Sequence, residues 1–251
     1  MKTRDNKPAA TTDSSVTFAP LTQNSISRRE FLIGSAAVGA TILLPGGLFA
    51  AGDGKKTFTI LHTNDMHSAF IGLGPAQDYT PLTLNDDKTR GGYSRLAGLM
   101  AKRKAARKGQ GPVLVLDAGD YSMGTAFGAA TRTIGGELQL MARMGYDATT
   151  FGNHEFDYGP EGLGKSIGVA SKAGRIPAVL ASNTNFAGTD PSLAALRGLA
   201  KDGIVRRHSV INRGGMRFGL FGVLGKEAIS VTVGAGAAKF ADPIENAREV
   251  V

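Results

Sequence analysis

Three short apolar runs each end in a cluster of glycine, acid, amide and imidazole side chains, and this recurrence constrains the chain more than any other feature. Residues 57–61 lead into His62, Thr63, Asn64, Asp65, Met66 and His67. Residues 113–116 lead into Asp117, Ala118, Gly119 and Asp120, and residues 148–151 into Gly152, Asn153, His154 and Glu155. Apolar runs this short, rich in Val, Leu and β-branched residues, read as buried strands. Helical patterns separate them. One spans about residues 93–108, with Leu96, Leu99 and Met100 as its inner face and Gly109 as its stop. A shorter one lies near residues 137–144, and a third, roughly residues 160–173, sets Leu163, Ile167 and Ala170 on one side before Gly174. Alternating strands and helices predict an α/β fold in which mixed sheets are flanked by helices. Ligands collect at the carboxyl ends of strands in such sheets, so the three polar clusters are expected to converge.

Further along, residues 178–181 read as a fourth strand ending in Ser182, Asn183, Thr184 and Asn185. Residues 204–211 and 216–223 flank Gly214 and Gly215 and read as a hairpin. A last helix starts near Asp242, with Pro243 at its first position. No internal repeat is evident.

Composition removes several classes of chemistry. The chain has no cysteine, which excludes disulfides, zinc–thiolate sites and thiol nucleophiles. Any metal must be held by oxygen and imidazole. Hydrophobic residues at 42% and charged residues at 20% argue for a globular core and against disorder. The net charge of +8 raises the question of nucleic acid or a membrane surface. Much of it sits in Lys102, Arg103, Lys104, Arg107 and Lys108, at the end of the first predicted helix. Basic residues in a last turn complement the helix dipole, so a solvated helix end is the favoured reading and no nucleic-acid partner is expected.

The first fifty residues read as an address. Residues 1–26 are polar and aperiodic; Ser27, Arg28, Arg29, Glu30, Phe31 and Leu32 follow, then an apolar stretch rich in Gly and Ala at residues 33–51. This resembles a twin-arginine export signal. Gly34, Gly39, Pro45, Gly46 and Gly47 disfavour a permanent spanning helix. No clean Ala-x-Ala precedes residue 53, which leaves retention as an N-terminal anchor open. The expected division is a leader at residues 1–52 and a catalytic-type domain at 53–251. The expected location is an exported, periplasmic one, reached through the twin-arginine machinery, and the resemblance implies export in the folded state.

The clusters carry the donor types of a divalent metal site. Asp65 and His67 are two apart, so in extended backbone both side chains point to one side and grip one ion. Asp120 has two carboxylate oxygens with which to bridge two ions, and Asn153 offers a neutral oxygen to the second. Paired ions of this kind sit roughly 3.5–4 Å apart and activate water against a phosphate ester. His154 is placed to donate a proton or hydrogen bond as charge develops. Asp157, three residues on, is placed to hold its tautomer.

The stretches 60–67, 117–120 and 152–157 together resemble the calcineurin-like metallophosphoesterases. More narrowly, they are similar to the bacterial 5'-nucleotidase and 2',3'-cyclic-nucleotide phosphodiesterase branch. The resemblance runs over about residues 56–251. It implies a layered α-β-β-α sandwich, two divalent ions (Mn, Zn, Fe or Co) and a small phosphate ester or nucleotide as substrate. It also implies Asp65 and His67 on the first metal, Asp120 on both, Asn153 on the second, His154 as transition-state stabiliser and Asp157 as its orienting partner. Two further histidine-bearing stretches of the family, expected after the helix near Pro243, have no counterpart in residues 1–251. The expectation is therefore a core cut in mid-fold, incomplete at its C-terminus, with weak or absent catalysis if Val251 is the true end.

Two other readings stand beside this one. Residues 159–166 match the phosphate-loop pattern G-x-x-x-x-G-K-[ST] letter for letter, ending in Lys165 and Ser166. The context argues against it: residues 153–158 separate the stretch from its strand, and the acidic strand precedes it. The remaining alternative is a non-catalytic protein whose partial site holds one ion or a phosphate ester.

Overall fold

In the computed structural model, residues 56–72 and 89–251 are described; the expected export signal and the stretch carrying Asp86, Asp87 and Lys88 lie outside them. The centre is a five-stranded sheet in which each neighbouring pair is parallel. Its strands, in spatial order, are β1 (Thr59–Thr63), β2 (Val113–Asp117), β3 (Ala148–Thr150), β4 (Ala178–Leu180) and β6 (Val205–Arg206). Helices α1 (Tyr93–Ala106), α3 (Gly136–Met144), α4 (Gly159–Ala173) and α5 (Ala194–Lys201) connect successive strands. Leu114 and Val115 of β2 are each 1% exposed, as parallel strands covered on both faces require.

The core packs Tyr146, Phe151 and Phe156 against Leu138, Met141, Ile167 and Leu196, all at 2% exposure or less. Helix α4 buries Leu163, Ile167 and Ala170, the stripe its period predicts. Helix α1 differs from expectation: Met100 is buried, but Leu99 is 50% exposed. One residue along a helix is a rotation of about 100°, and with Met100 turned inward Leu99 faces water. The first strand also starts two residues late and takes in His62 and Thr63, because in-register pairing from Thr59↔Val113 to Thr63↔Asp117 defines it.

The run at 204–211 is not one strand. Val205 and Arg206 pair with β4, whereas β7 (His208–Arg213) pairs antiparallel with β8 (Met216–Phe221). Gly214 and Gly215 make the hairpin turn with φ of 57° and 71°, a left-handed pair that a Cβ disfavours. Residue pattern does not reveal the short elements: α2 (Ala126–Thr131), β5 (Thr184–Asn185), α5, α6 (Lys226–Val231) and β9 (Lys239–Phe240). Helix α7 (Pro243–Val250) begins as expected, with Asp242 Oδ1 accepting from the N–H groups of Ile244 and Glu245 at 2.8 and 3.1 Å. The α/β class thus holds, with a parallel central sheet and an antiparallel hairpin beside it.

An ion pair with a buried carboxylate and a half-buried guanidinium fastens that hairpin. Asp147, whose side chain is 5% exposed, accepts from both terminal nitrogens of Arg213 at 2.8 and 2.6 Å and from the Val115 N–H at 2.9 Å. Arg213 also donates to the Val113 carbonyl at 2.7 Å. Bidentate contact with Asp147 raises the Arg213 pKa. Removing the cation leaves a buried carboxylate with one backbone donor. Arg213→Met is expected to lower unfolding free energy by about 2–4 kcal/mol, and Arg213→Lys to recover part of it. Urea midpoints read this directly, and an unchanged midpoint for Arg213→Met would refute the role.

Candidate metal centre

The pairing of β1 with β2 does not stop where the strands do. Ala118 N–H donates to the Thr63 carbonyl at 2.9 Å, and Asp65, His67 and Ser68 N–H groups donate to the carbonyls of Gly119, Asp120 and Tyr121 at 3.0 Å each. The two loops therefore leave the sheet zipped together, and their side chains share one place. Asp65, His67 and Asp120 adopt φ of 52°, 47° and 51°. The left-handed region is uncommon outside glycine, though Asp and His enter it more readily than most, and such conformations concentrate at functional sites. This corrects the extended backbone expected at Asp65 and His67: both lie past the strand end, and the turn aims their side chains.

The outcome is a cluster in which Asp65, His67 and Asp120 each bring one ligand atom within 4.8 Å of the others. His67 Nε2 lies 3.5 Å from Asp65 Oδ1, and Asn64 Nδ2 donates to the other oxygen of Asp65. Two carboxylates and an imidazole are the donor types suited to a hard or borderline divalent cation.

Strand β3 delivers the remaining predicted residues. After it the chain enters a 3-10 turn, His154–Phe156, with Asn153 before it. His154 N–H donates to Asp120 Oδ1 at 2.9 Å, which presses the Asn153–His154 peptide against the cluster. The His154 ring meets the His67 ring edge-on at 5.1 Å between centroids. His154 Nδ1 is 2.7 Å from Asp157 Oδ2, a contact that leaves Nε2 for other work. That hydrogen bond raises the His154 pKa; partial burial opposes it, and the charges of Asp157, Asp120 and Glu155 add to it.

Glu155 stands in the motif without a role that sequence assigns, and the structure makes it the hub of the site. At 3% exposure it accepts from the N–H groups of Asp120 (2.9 Å), Ser122 (3.0 Å) and Gly152 (2.6 Å) and from Ser122 Oγ (2.9 Å). Burial pushes its carboxyl up to about 7, against the pull of these donors. The only sequence signal is an acid one residue after His154 in a strand-end motif. Asp117 plays the matching part on the other side, accepting from Thr63 Oγ1 (2.7 Å), Thr149 Oγ1 (2.8 Å) and Gly119 N–H (3.0 Å). Burial raises its pKa, and the bonds from Thr63, Thr149 and Gly119 oppose the rise.

The glycines make this closeness feasible. A Cβ on Gly152 would sit 2.1 Å from Asp120 Oδ1, and one on Gly119 2.4 Å from the Gly152 nitrogen. Two other sequence features fall outside the site. His208 is an exposed residue of β7 paired with Phe221. The phosphate-loop match at 159–166 is the first half of helix α4, with Lys165 exposed. The stretch is a helix from its first residue and not a glycine-rich loop between strand and helix, the context a phosphate loop requires.

Glu155→Gln presents one acceptor oxygen and an amide to four donors. It is expected to cost about 2–3 kcal/mol of stability and to weaken Mn2+ binding roughly 10–100-fold. Thermal unfolding and metal titration calorimetry check this, and wild-type values in both would show that Glu155 does not organise the centre.

Comparison with known proteins agrees with this geometry. The family described as Calcineurin-like phosphoesterase matches residues 58–210. A 5'-nucleotidase of Homo sapiens is 37% identical over 131 residues, covering 51% of this chain and 21% of that protein. A probable 5'-nucleotidase of Treponema pallidum (strain Nichols) is 33% identical over 202 residues, covering 78% of this chain and 30% of its own. Among solved structures, the 5'-nucleotidase precursor from Thermus thermophilus superposes with a TM-score of 0.58 at 28% identity over 76% of this chain and 33% of its own. The NAD nucleotidase of Haemophilus influenzae does so with 0.55 at 27% identity, over 76% and 30%. The chain spans about a fifth of the human relative's length and about a third of these two structures. A family match over more than half of the chain, with the Asp65–His67–Asp120 cluster at the strand ends, makes this protein a member of the calcineurin-like phosphoesterases, a family of metal-dependent hydrolases.

Proposed function

We propose that this chain carries the greater part of a dinuclear phosphoesterase site that hydrolyses nucleotides. The observation that carries the reading is the convergence of Asp65, His67 and Asp120 within 4.8 Å beside the His154–Asp157 pair. In this reading Asp65 and His67 would hold one divalent ion, Asn153 a second, and Asp120 would serve both. Bound metal would supply an activated water and charge neutralisation on the phosphoryl oxygens. His154 then serves from Nε2, donating to a phosphoryl or leaving oxygen as negative charge grows there, while Asp157 holds Nδ1 and steadies the protonated ring. The zipped loops and Glu155 keep these groups in place before substrate arrives, so little reorganisation is left for the reaction itself. The 5'-nucleotidase titles of the relatives support a nucleotide substrate.

Phosphate release from AMP by the full chain, with and without Mn2+, tests this. EDTA is expected to abolish turnover. His154→Asn is expected to lower kcat about 10²–10⁴-fold with metal binding intact, whereas Asp120→Asn loses both. Turnover indifferent to EDTA would defeat the proposal. A bound ion without hydrolysis of any phosphate ester would assign the chain to the non-catalytic reading.

Residues 28–51 further support export as a folded, metal-loaded protein, with the catalytic part beginning near residue 53. Replacing both Arg28 and Arg29 by Lys is expected to hold the protein in the cytoplasmic fraction. Undiminished periplasmic recovery of that variant would remove the twin-arginine route.

A further inference from the structure

A parallel sheet fed by helices has two unlike ends. The carboxyl ends of the strands carry the acids of the candidate centre. The amino ends receive the chain from helix C-termini, and four connections converge there. These are residues 107–112 after α1, 145–147 after α3, 174–177 after α4 and 202–204 after α5.

Exposed bases crowd this amino end. Lys108 and Arg175 stand in the connections and Arg143, Lys172 and Lys201 in the last helical turns, while Arg206 ends the two-residue strand β6 with its Nε turned back onto the Gly203 carbonyl; all six are exposed. Among the described residues none of the six has an ion-pair partner. The acids of these connections are two: Asp147, already bound by Arg213, and Asp202. Helix dipoles account for bases in last turns. They do not account for Lys108 and Arg175 beyond the helices, nor for so few acids between them.

The surface is also hollowed. One depression of 380 Å³ is lined by Arg175, Arg206, Ser171 and Ser209, with Arg213 and Asp147 in its wall already paired to each other. Another of 290 Å³ is lined by Arg143, Arg175 and Gln139, and the two share Gly174 and Arg175. Guanidinium and hydroxyl groups around a shallow hollow suit a phosphate ester that stays partly in water.

The chain enters the fold at this same end. Thr57 Oγ1 donates to the Gln110 carbonyl and the Thr59 N–H to the Pro112 carbonyl, both at 2.9 Å. Only residues 52–55 separate Lys56 from the uncharged stretch 33–51, and four residues reach at most about 14 Å. A bilayer that holds the uncharged stretch therefore lies within reach of this amino end.

The geometry points to the amino end of the sheet as a docking surface for an anionic phospholipid bilayer, with headgroup phosphates received around Arg143, Arg175 and Arg206. Helix α4 sets the standoff. Its 15 residues run from just after Asp157 to just before Arg175, a rise of about 22 Å. The candidate centre faces water at that height, open to soluble substrate.

Co-sedimentation of the full chain with vesicles tests the assignment. Phosphatidylcholine alone reports the apolar stretch; added phosphatidylglycerol reports the basic end. Partition is expected to be greater on the anionic vesicles by roughly tenfold or more, with the excess falling as salt rises. The combined variant Arg143→Gln, Lys172→Gln, Arg175→Gln and Lys201→Gln, at exposed unpaired positions, is expected to lose the excess and keep its circular dichroism. Arg175→Gln alone should lose part of it. Lys165→Gln with Lys239→Gln, elsewhere on the surface, should retain it. Equal partition of the wild type on the two vesicle types, or equal loss in both variant sets, would overturn the proposal. So would binding to duplex DNA that exceeds vesicle binding at matched charge and is lost in the same variant.

Discussion

Parallel register between β1 and β2 governs the rest of the structure. Five paired positions bring Thr63 level with Asp117, and three further N–H groups from Asp65, His67 and Ser68 carry the pairing beyond the strands. Left-handed conformations at Asp65, His67 and Asp120 cost about 1–3 kcal/mol each when unsupported. They persist here because the N–H groups of Asp65 and His67 are held by the carbonyls of Gly119 and Asp120, and the Asp120 N–H by Glu155. The side chains that would meet a cation are thus aimed by backbone bonds, to which Asn64 Nδ2 on Asp65 and the His154 N–H on Asp120 add.

Buried carboxylates tie the layers together at both ends of the sheet. Asp117 joins β1, β2 and β3 through two threonine hydroxyls and a glycine N–H. Glu155 joins the loops after β2 and β3, and Asp147 joins the amino end of β3 to the hairpin through Arg213. A buried acid without donors would be strongly unfavourable, so each of these fixes the geometry of what surrounds it. The arrangement also sorts charge. Acids serve the carboxyl ends of the strands, where a cation is expected, while bases accumulate where the helices end.

Much of this is legible in residue pattern. The α/β class follows from alternating apolar runs and helical stripes, and helix α4 buries the face its spacing names. Asp65, His67, Asp120, Asn153, His154 and Asp157 stand out because glycine, acid and imidazole recur at strand ends. Short elements such as α2 and β5 are not legible, since six residues or two carry too little periodicity. The run at 204–211 reads as one strand because nothing local marks Arg207 as the break; pairing with β4 on one side and β8 on the other decides it.

The sequence by itself determined which residue types reach the strand ends and in what order, because apolar periodicity and glycine placement are local properties. The tertiary structure alone decided that Asp65 and His67 act from a left-handed turn, that Glu155 is a buried hub, and that bases from four separate connections form one end of the molecule. Those outcomes depend on groups up to a hundred residues apart becoming neighbours, as Arg213 and Val113 do. No local pattern encodes such a distance; only the register of packed strands sets it.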